Sequence, residues 1–317
     1  MNPALKSLIK NLITGNPLTR PLYNWRRQRY LRRELEDQWR ASGVQAMVMP
    51  NAFAIRKGDN VMMLGFKDAI HGPYLDRHFH TYFSATRSTE VNGLNVVDYS
   101  IPKLHTLAGG LQFEFASFPE EADSITGYTK WYQPKEGDLI FDLGANAGIS
   151  VYHFSKMVGP TGRVVCFEPD PGTRGFLRRN LERYRLENVT VVEAAVGGED
   201  GTAEFFAEGT LGSGMASVLA RESVGNVITV PVMSLRTAFE KFGIPNLCKV
   251  DIEGAEIAAL DAAVDLISTL KINFVVDTTH LVGGEYTDKR VQAIFEKAGY
   301  KSETVKTDFL TTYGRPP

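Results

Sequence analysis

The chain has 317 residues, of which 43% are hydrophobic and 23% charged, with 35 lysines and arginines against 37 aspartates and glutamates. This composition excludes wholesale disorder, a coiled coil and collagen, and the length fits two domains or one large domain with an appendage. The net charge of −2 argues against a nucleic-acid-binding protein that is basic over its whole surface.

Residues 1–43 are predicted to form a basic helical arm that is separate from the rest of the chain. Apolar side chains at positions 5, 8, 9, 12 and 13 follow helical spacing, and a second helix is predicted after Pro21. Nine basic and three acidic side chains give the arm a net charge of +6. Two interpretations stay open: an arm that makes peripheral contact with an anionic surface, or a helical pair that packs on its own protein or on a second subunit of a homo-oligomer.

Residues 44–123 are predicted to form a small strand-rich accessory region. Two apolar runs flank a turn at 57–60, which predicts a hairpin, and the alternation over 111–118 predicts a half-buried strand. The region also contains three histidines that no cysteine joins, and for these packing is favoured over a metal site. They are His71, His78 and His80.

Residues 124–317 show strands that alternate with helices. Apolar runs predict strands at 138–144, 163–169, 189–196, 247–254 and 272–279. Helices are predicted at 124–133, up to about 158, at 173–186, after Gly254 and at 287–300. This alternation predicts an α/β fold with a doubly wound, mostly parallel sheet that binds ligands outside the carboxyl ends of its strands. A glycine-rich loop at 208–217 is interpreted either as a lid over an acceptor or as a plain hairpin connection.

The strongest motif is a glycine turn that follows a strand and begins a helix, Asp142-Leu143-Gly144-Ala145-Asn146-Ala147-Gly148. Glycine lets the backbone turn sharply and lets a ligand approach the main chain, and the helix start leaves N–H donors free. The spacing is not G-x-G-x-x-G, so the dinucleotide fingerprint fits poorly. A plain strand–helix connection is the alternative interpretation of such a turn.

Glu168 stands twenty residues after Gly148, at the end of the second predicted strand. An acid at that place accepts hydrogen bonds from both hydroxyls of a ribose. A ribose contact without the dinucleotide spacing suits a nucleoside ligand that has no pyrophosphate, such as S-adenosylmethionine. Asp142, at the end of the first strand, is predicted to face the cationic end of that ligand.

Three segments, DLGANAGIS, VVCFEPDP and SLRTAFEKFGIPNLCKVDIEGAE, occur in an order and spacing that resemble the FkbM-type methyltransferases. The resemblance spans roughly residues 124–302, and KVDIEGAE is its most specific part. It implies a class I, Rossmann-like fold, S-adenosylmethionine as cofactor, and O-methyl transfer to a hydroxyl of a sugar, glycan or natural product. It also implies a cofactor site made by Asp142, Gly144, Ala145, Asn146, Gly148, Glu168, Glu193 and Ala194.

The catalytic candidates also lie at strand ends. A hydroxyl acceptor has to lose its proton, so a base within hydrogen-bond reach is expected, and the predicted residues are Asp251, Glu253 and His280. In the alternative interpretations, Asp251 orients neighbouring backbone and Glu253 caps the next helix. A further alternative is that the carboxylates bind Mg²⁺ and that the ion chelates a diol acceptor, although the spacing does not require a metal.

The resemblance breaks after the fifth strand, where the family has a glutamate and, two residues later, a histidine. Here Asp277 is followed by His280 three residues later. In an extended chain, a shift of one residue moves a side chain to the opposite face. The departure therefore weakens the assignment of His280 as the base.

The family's strand order also implies that Cys166 and Cys248 lie on the two strands that flank the first. Their separation would be ~9.5 Å, whereas disulfide-linked Cα atoms lie within about 7 Å of each other, so both thiols are expected to be free and inert. Because the chain contains neither an apolar run of about 18–20 residues nor a recognisable secretion signal, the expected location is the cytoplasm.

Two other functions stay open from the sequence. One is a nicotinamide-dependent oxidoreductase, which the glycine spacing disfavours. The other is a catalytically silent binding protein of the same fold, because a doubly wound sheet hosts many chemistries.

Overall fold

The computed structural model describes residues 33, 36, 37, 39, 41, 46–48, 52–65, 68–119, 124–207, 214, 215, 226–306 and 309–317. The predicted basic arm, residues 1–43, lies almost entirely outside the described residues, and so does most of the predicted lid, residues 208–217. The chain divides into two compact units. The first contains the described residues up to Phe83 and Ser88–Ser100, and the second contains Ser84–Arg87 and Ile101–Pro317.

The first unit has a sheet of five described strands, with short helices between the third and the fourth. The strands are β1 (Ala46–Val48), β2 (Ala52–Lys57), β3 (Asn60–Gly65), β4 (Thr89–Val91) and β5 (Leu94–Tyr99). Their order is β1-β2-β3-β5-β4, in which β3 and β5 are parallel and the other pairs antiparallel. Between β3 and β4 lie a 3₁₀ turn (Asp68–His71) and helices α1 (Gly72–Arg77) and α2 (Phe79–Ala85). The hairpin predicted at 57–60 is confirmed, because Lys57 pairs with Asn60.

The second unit is an α/β domain. Its strands are β6 (Lys103–Thr106), β7 (Gln112–Phe115), β8 (Leu139–Leu143), β9 (Arg163–Phe167), β10 (Val189–Val192), β11 (Ala195–Gly197), β12 (Gly201–Ala207), β13 (Gly214–Met215), β14 (Asn226–Ser234), β15 (Leu247–Val250), β16 (Asn273–Asp277), β17 (Leu281–Val282), β18 (Glu285–Tyr286), β19 (Lys301–Lys306) and β20 (Leu310–Arg315). Its further helices are α3 (Ser124–Tyr128), α4 (Ile149–Val158), α5 (Pro171–Tyr184), α6 (Leu235–Phe242), α7 (Glu256–Asp261), α8 (Val264–Ile267) and α9 (Asp288–Lys297).

The central sheet of this unit has seven strands in the order β10-β9-β8-β15-β16-β20-β19. The first five are parallel, whereas β20 runs antiparallel to both β16 and β19. The predicted doubly wound, mostly parallel fold is therefore confirmed. The winding direction reverses between β8 and β15, so the carboxyl ends of these two strands flank the crevice in which such sheets bind ligands.

Helices cover both faces of the sheet because its central strands are apolar on both sides. Ile140 of β8 belongs to the same core cluster as Phe154 of α4, whereas the next residue, Phe141, belongs to the cluster that contains Phe239 of α6. Successive strand residues point to opposite faces, so one apolar run supplies both packed layers.

The two cysteines lie in this core on the strands that flank β8. Cys166 of β9 and Cys248 of β15 are buried and free, as the strand order predicts. Burial raises the pKa of both thiols, which keeps them protonated and unreactive. None of the helices that the structure describes has the length and apolar character that crossing a bilayer requires.

The strand predicted at 189–196 is two strands in the structure. The chain turns at Glu193 and Ala194 and continues as β11, which begins a separate sheet in the order β11-β14-β12-β13. This second sheet and the terminal β19–β20 hairpin are absent from the sequence prediction. The helix predicted at 124–133 ends at Tyr128.

Residues 101–119 belong to the second unit, whereas the sequence predicts residues 44–123 as one accessory region. The strand predicted at 111–118 is confirmed as β7, which pairs with β6. Glu114 of β7 forms ion pairs of 2.7 Å with Arg179 and 2.9 Å with Arg183, both on α5. These contacts attach the β6–β7 hairpin to the α/β domain and move the boundary toward the N-terminus.

Candidate active site

The glycine turn leaves the end of β8 and leads into α4. Gly144 has φ +82°, and a Cβ atom there would lie 1.8 Å from the backbone oxygen of Asp251, which follows β15. Gly148 has φ +89°, and its Cβ would lie 2.5 Å from Leu177 Cδ1. Both positions therefore require glycine so that the turn can pack against its own protein, in addition to the ligand access that the sequence predicts.

A buried lysine, Lys249 of β15, supports the glycine turn, and strand alternation predicts that it shares a face with Asp251 and Glu253. Its Nζ donates to the Gly144 carbonyl oxygen at 2.7 Å and lies 3.2 Å from Asp142 Oδ1 and 3.4 Å from Asp251 Oδ2. The signal in the sequence is a charged residue inside the apolar run LCKV. A buried charge requires partners of opposite charge, and Asp142 near the end of β8 and Asp251 after β15 provide them.

Asp142 is fully buried, so its carboxylate contacts Lys249 and Ser150 instead of an open surface. Ser150 Oγ donates to Asp142 Oδ2 at 2.6 Å. Burial raises the pKa of this carboxyl, and the Lys249 ammonium opposes the rise. The carboxylate thus positions the turn through its two partners, while its contact with the cationic end of a ligand stays a prediction.

Glu168 follows the end of β9, beside the glycine turn, and 6% of the residue is exposed. Its Oε2 accepts a hydrogen bond from the Asn146 N–H and its Oε1 accepts one from the Asp170 N–H, both at 2.9 Å. Burial raises the pKa of Glu168 to about 8, against the lowering effect of these N–H groups. An ionised carboxylate has about four acceptor sites, so each oxygen retains one. This acceptor set fits the two hydroxyls of a ribose.

The other predicted cofactor residues differ in their surroundings. Ala145 and Ala194 are buried, Ala145 in the glycine turn and Ala194 at the turn between β10 and β11. The Glu193 carboxylate is half-exposed and forms ion pairs of 2.9 Å with Arg174 and 2.7 Å with Arg178. The hydrogen bond from Arg178 lowers its pKa, and Arg174 adds to this effect. Glu193 is therefore an ionised partner of α5, and its role near an adenine stays a prediction.

Polar side chains converge where β15 and β16 end. Asp251 and Glu253 follow β15, Asp277 ends β16, and His280 comes three residues later. His280 Nε2 lies 3.7 Å from Asp251 Oδ1 and 3.7 Å from Glu253 Oε2. One ligand atom each of Asp251, Asp277 and His280 lies within 4.8 Å of the others. The structure thus brings the three predicted catalytic residues together, next to the backbone that Gly144 contacts.

The position of His280 corrects the argument from strand alternation. β16 ends at Asp277, and the Thr279 N–H donates to Asp277 Oδ1 at 2.8 Å. The chain therefore turns at Asp277 instead of continuing in an extended conformation, so the two-residue alternation no longer applies. His280 reaches the carboxylates in spite of the shifted spacing.

Glu256, which the sequence analysis does not single out, orients His280. The residue is fully buried at the start of α7, and its Oε1 accepts from the Ile252 and Gly254 N–H groups, each at 3.1 Å. The same oxygen lies 2.8 Å from His280 Nδ1, in an approach away from the N–H axis. α7 begins without a side-chain cap, so the alternative in which Glu253 caps this helix is wrong.

Negative charge dominates this cluster. Burial raises the pKa of Glu253 to about 7, with attraction to His280 opposing the rise and repulsion from Asp251 adding to it. Burial raises the pKa of Asp277 in the same way. Burial lowers the pKa of His280, but Glu256, Glu253 and Asp277 outweigh this effect and hold it well above its ordinary value. The cluster therefore contains more carboxyl groups than neighbouring positive charges that could neutralise them.

The order of the seven-stranded sheet defines a class I methyltransferase fold, with a glycine turn after β8 and an acid after β9. Residues 142–302, about half of the chain, match the family model described as the methyltransferase FkbM domain. The chain belongs to the FkbM methyltransferase family, which confirms the resemblance seen in the sequence.

Individual relatives are similar to parts of the chain. Methyltransferase 1 of Beauveria bassiana is 25% identical over 195 residues, which cover 55% of this chain and 76% of that protein. Protein-L-isoaspartate O-methyltransferase of Methanothrix thermoacetophila is 34% identical over 58 residues, which cover 18% of this chain and 28% of that protein. The crystal structure of methyltransferase FkbM from Methylobacillus flagellatus KT aligns with a TM-score of 0.42 and 19% identity, over 59% of this chain and 45% of that one. The chain thus spans less than half the length of these last two proteins.

Proposed function

We propose that the protein transfers the methyl group of S-adenosylmethionine to a hydroxyl oxygen of a sugar, glycan or natural-product acceptor. The observation that carries this proposal is the convergence of Asp251, Glu253 and His280 beside the glycine turn. A hydroxyl has to lose its proton during methyl transfer, and carboxylate and imidazole groups are suited to accept or direct that proton. The crevice at the ends of β8 and β15 is the place where a doubly wound sheet binds its ligand.

In this proposal, Glu168 accepts the ribose hydroxyls and the turn from Gly144 to Gly148 lies along the methionine part of the cofactor. Ala194 lies near the adenine, and Asp142 acts through Lys249. Bound S-adenosylmethionine supplies an electrophilic methyl group on a sulfonium. The protein contributes mainly by positioning donor and acceptor, an effect that reaches roughly 7–11 kcal/mol in well-oriented reactions.

The cytoplasm is the proposed location, since both cysteines are free and buried. Contact of residues 1–43 with an anionic surface and assembly into a homo-oligomer remain predictions. Family membership favours methyl transfer over the nicotinamide-dependent alternative, and a silent binding protein is distinguished by activity.

The test combines ligand binding with methyl transfer. At a hundredfold excess over its dissociation constant, S-adenosylhomocysteine should add about 2.7 kcal/mol of stability, whereas NAD⁺ should add none. Incubation with S-adenosylmethionine and a panel of sugars and hydroxylated metabolites should then yield products whose methyl group NMR assigns to oxygen. Asp251→Asn should reduce this transfer by about 10²–10⁴-fold while it retains the melting shift.

Asp265→Asn is the matched control, because this exposed carboxylate pairs with Arg236 away from the cluster. Methyl transfer to amines or thiols alone would contradict the proposal. A shift with S-adenosylhomocysteine but no transfer to any acceptor would favour the silent binding protein, and a shift with NAD⁺ alone would favour the oxidoreductase.

A further inference from the structure

The cluster at the ends of β15 and β16 contains a mixed set of oxygen and nitrogen donors. Asp251, Asp277 and His280 are each partly buried, and each offers one atom within 4.8 Å of the other two. They come from two neighbouring strands and the turn that follows the second, so the sheet itself holds them in place. Carboxylate oxygens and an imidazole nitrogen are together suited to divalent ions such as Mn²⁺ and Zn²⁺.

The spacing of these atoms fits a shared ion better than direct contact. The 3.7 Å between His280 Nε2 and Asp251 Oδ1 is too long for a hydrogen bond. Ligands bound to one ion at about 2.1 Å lie roughly 3.0–3.4 Å apart when adjacent and roughly 4.2 Å apart when opposite. The 3.7 Å separation lies between these two values, so the atoms are near enough to share an ion and too far apart to bond to one another.

An independent feature, the buried carboxylate of Glu256, turns the histidine toward that space. Two backbone N–H groups fix Glu256 Oε1, which lies 2.8 Å from His280 Nδ1. This carboxylate lies beside one ring nitrogen without hydrogen-bond geometry, and the other nitrogen is directed at the site; a carboxylate next to the second nitrogen is common for metal-binding histidines. Nε2 accordingly faces Asp251 and Glu253.

The charge of the cluster also calls for a cation. Four carboxylates, those of Asp251, Glu253, Glu256 and Asp277, surround one imidazole. Among the described residues, the Lys249 ammonium lies 3.4 Å from Asp251 but already pairs with Asp142. Buried like charges are costly unless they are protonated or compensated by a counter-ion, and a bound divalent cation would compensate them.

We propose that Asp251, Asp277 and His280 bind one divalent metal ion, with Glu256 as the residue that positions the histidine. Three protein ligands on one side leave coordination positions open toward the crevice. These positions take two neighbouring oxygens of the acceptor, which makes a diol or a hydroxy-carbonyl compound the preferred substrate class. This last step rests on the proposed O-methyl transfer, whereas the ion site itself does not.

Metal binding can be measured on the full chain without any substrate. Calorimetry and electron paramagnetic resonance with Mn²⁺ alone should show one bound ion per chain. Asp277→Asn and His280→Ala should each weaken Mn²⁺ binding at least about tenfold, and Asp265→Asn should leave it unchanged. The melting shift with S-adenosylhomocysteine should persist in all three variants, which shows that the fold is intact.

The outcomes separate this inference from the proposed function. Absence of Mn²⁺ binding, or binding that both ligand variants retain, overturns the ion site, even if hydroxyls are methylated in the presence of EDTA. One bound Mn²⁺ that both variants lose supports the site, even if no hydroxyl in the panel is methylated. A KM for monohydroxy acceptors equal to that for diols, in a protein that binds Mn²⁺, overturns the proposed contact of the ion with the acceptor.

Discussion

Glu168 combines burial with two backbone hydrogen bonds, which makes its contact with the cofactor testable by pH. Its pKa of about 8 means that the carboxyl is largely neutral at about pH 6.5. Ribose hydroxyls donate to the ionised form, so we expect the affinity for S-adenosylhomocysteine to rise roughly 25-fold between about pH 6.5 and 8.5. Calorimetric titrations across this range measure the change.

The stability of the ligand-free protein is expected to change with pH in the opposite direction to the cofactor affinity. The folded state binds the Glu168 proton more tightly than the unfolded chain, so this contribution is full below the unfolded pKa of 4.5 and is lost as the pH rises through 8. Glu168→Gln should remove both pH dependences because an amide does not titrate. Glu182→Gln, on the exposed side of α5, is the matched control and should retain them. A pH-independent affinity in the unmodified protein would contradict the ribose contact.

The sequence reveals some site residues and not others for a structural reason. The glycine turn, Glu168 and Asp251 each come directly after an apolar strand, and parallel strands end at one edge of a sheet, so their convergence could be predicted. Lys249 and Glu256 act through partners that the fold supplies. The Gly144 carbonyl that Lys249 binds lies 105 positions away in the chain, and no local pattern encodes that contact.

At the scale of elements, the β6–β7 hairpin is attached to α5 by a buried amide in addition to the ion pairs of Glu114. Asn180 Nδ2 donates to the carbonyl oxygens of Glu114 and Ala147, and its Oδ1 accepts from the Glu114 N–H, all within 2.9 Å. Asn180→Ala removes three hydrogen bonds and leaves buried backbone groups unpaired, so we expect a loss of about 2–4 kcal/mol in the free energy of unfolding. Urea denaturation measures it.

Glu114→Gln provides the comparison at the same contact. Its ion pairs with Arg179 and Arg183 are partly exposed to solvent, so they should contribute less than about 1 kcal/mol. Equal losses in the two variants would show that the ion pairs stabilise this attachment as much as the amide does.

Two of the elements that the sequence failed to predict share one property. β12 and β19 are short of buried apolar residues, with most of their side chains exposed or half-buried. Such strands are stabilised by pairing with neighbours that are distant in the chain, as β12 pairs with β14, and they carry little periodic signal of their own. The parallel strands β8, β9, β15 and β16 are buried on both faces and could be recognised as apolar runs.

For the whole molecule, the division into two units predicts that the cofactor site is independent of the first unit. The glycine turn, Glu168, Lys249 and the cluster around His280 all lie within Ile101–Pro317. A variant that begins at Ile101 should therefore melt cooperatively and bind S-adenosylhomocysteine with nearly the affinity of the full chain. It loses the backbone hydrogen bonds from Arg87 to Thr106 and from Ala108 to Ala85, so its melting temperature should be lower.

Calorimetric titration of both proteins under the same conditions provides the comparison, and the full chain that carries Glu168→Gln serves as the weak-binding reference. A truncated protein that melts cooperatively but binds no S-adenosylhomocysteine would show that residues before Ile101 are needed for cofactor binding. A truncated protein with unchanged affinity would locate every residue needed for cofactor binding on the α/β domain, as the ends of β8, β9 and β15 predict.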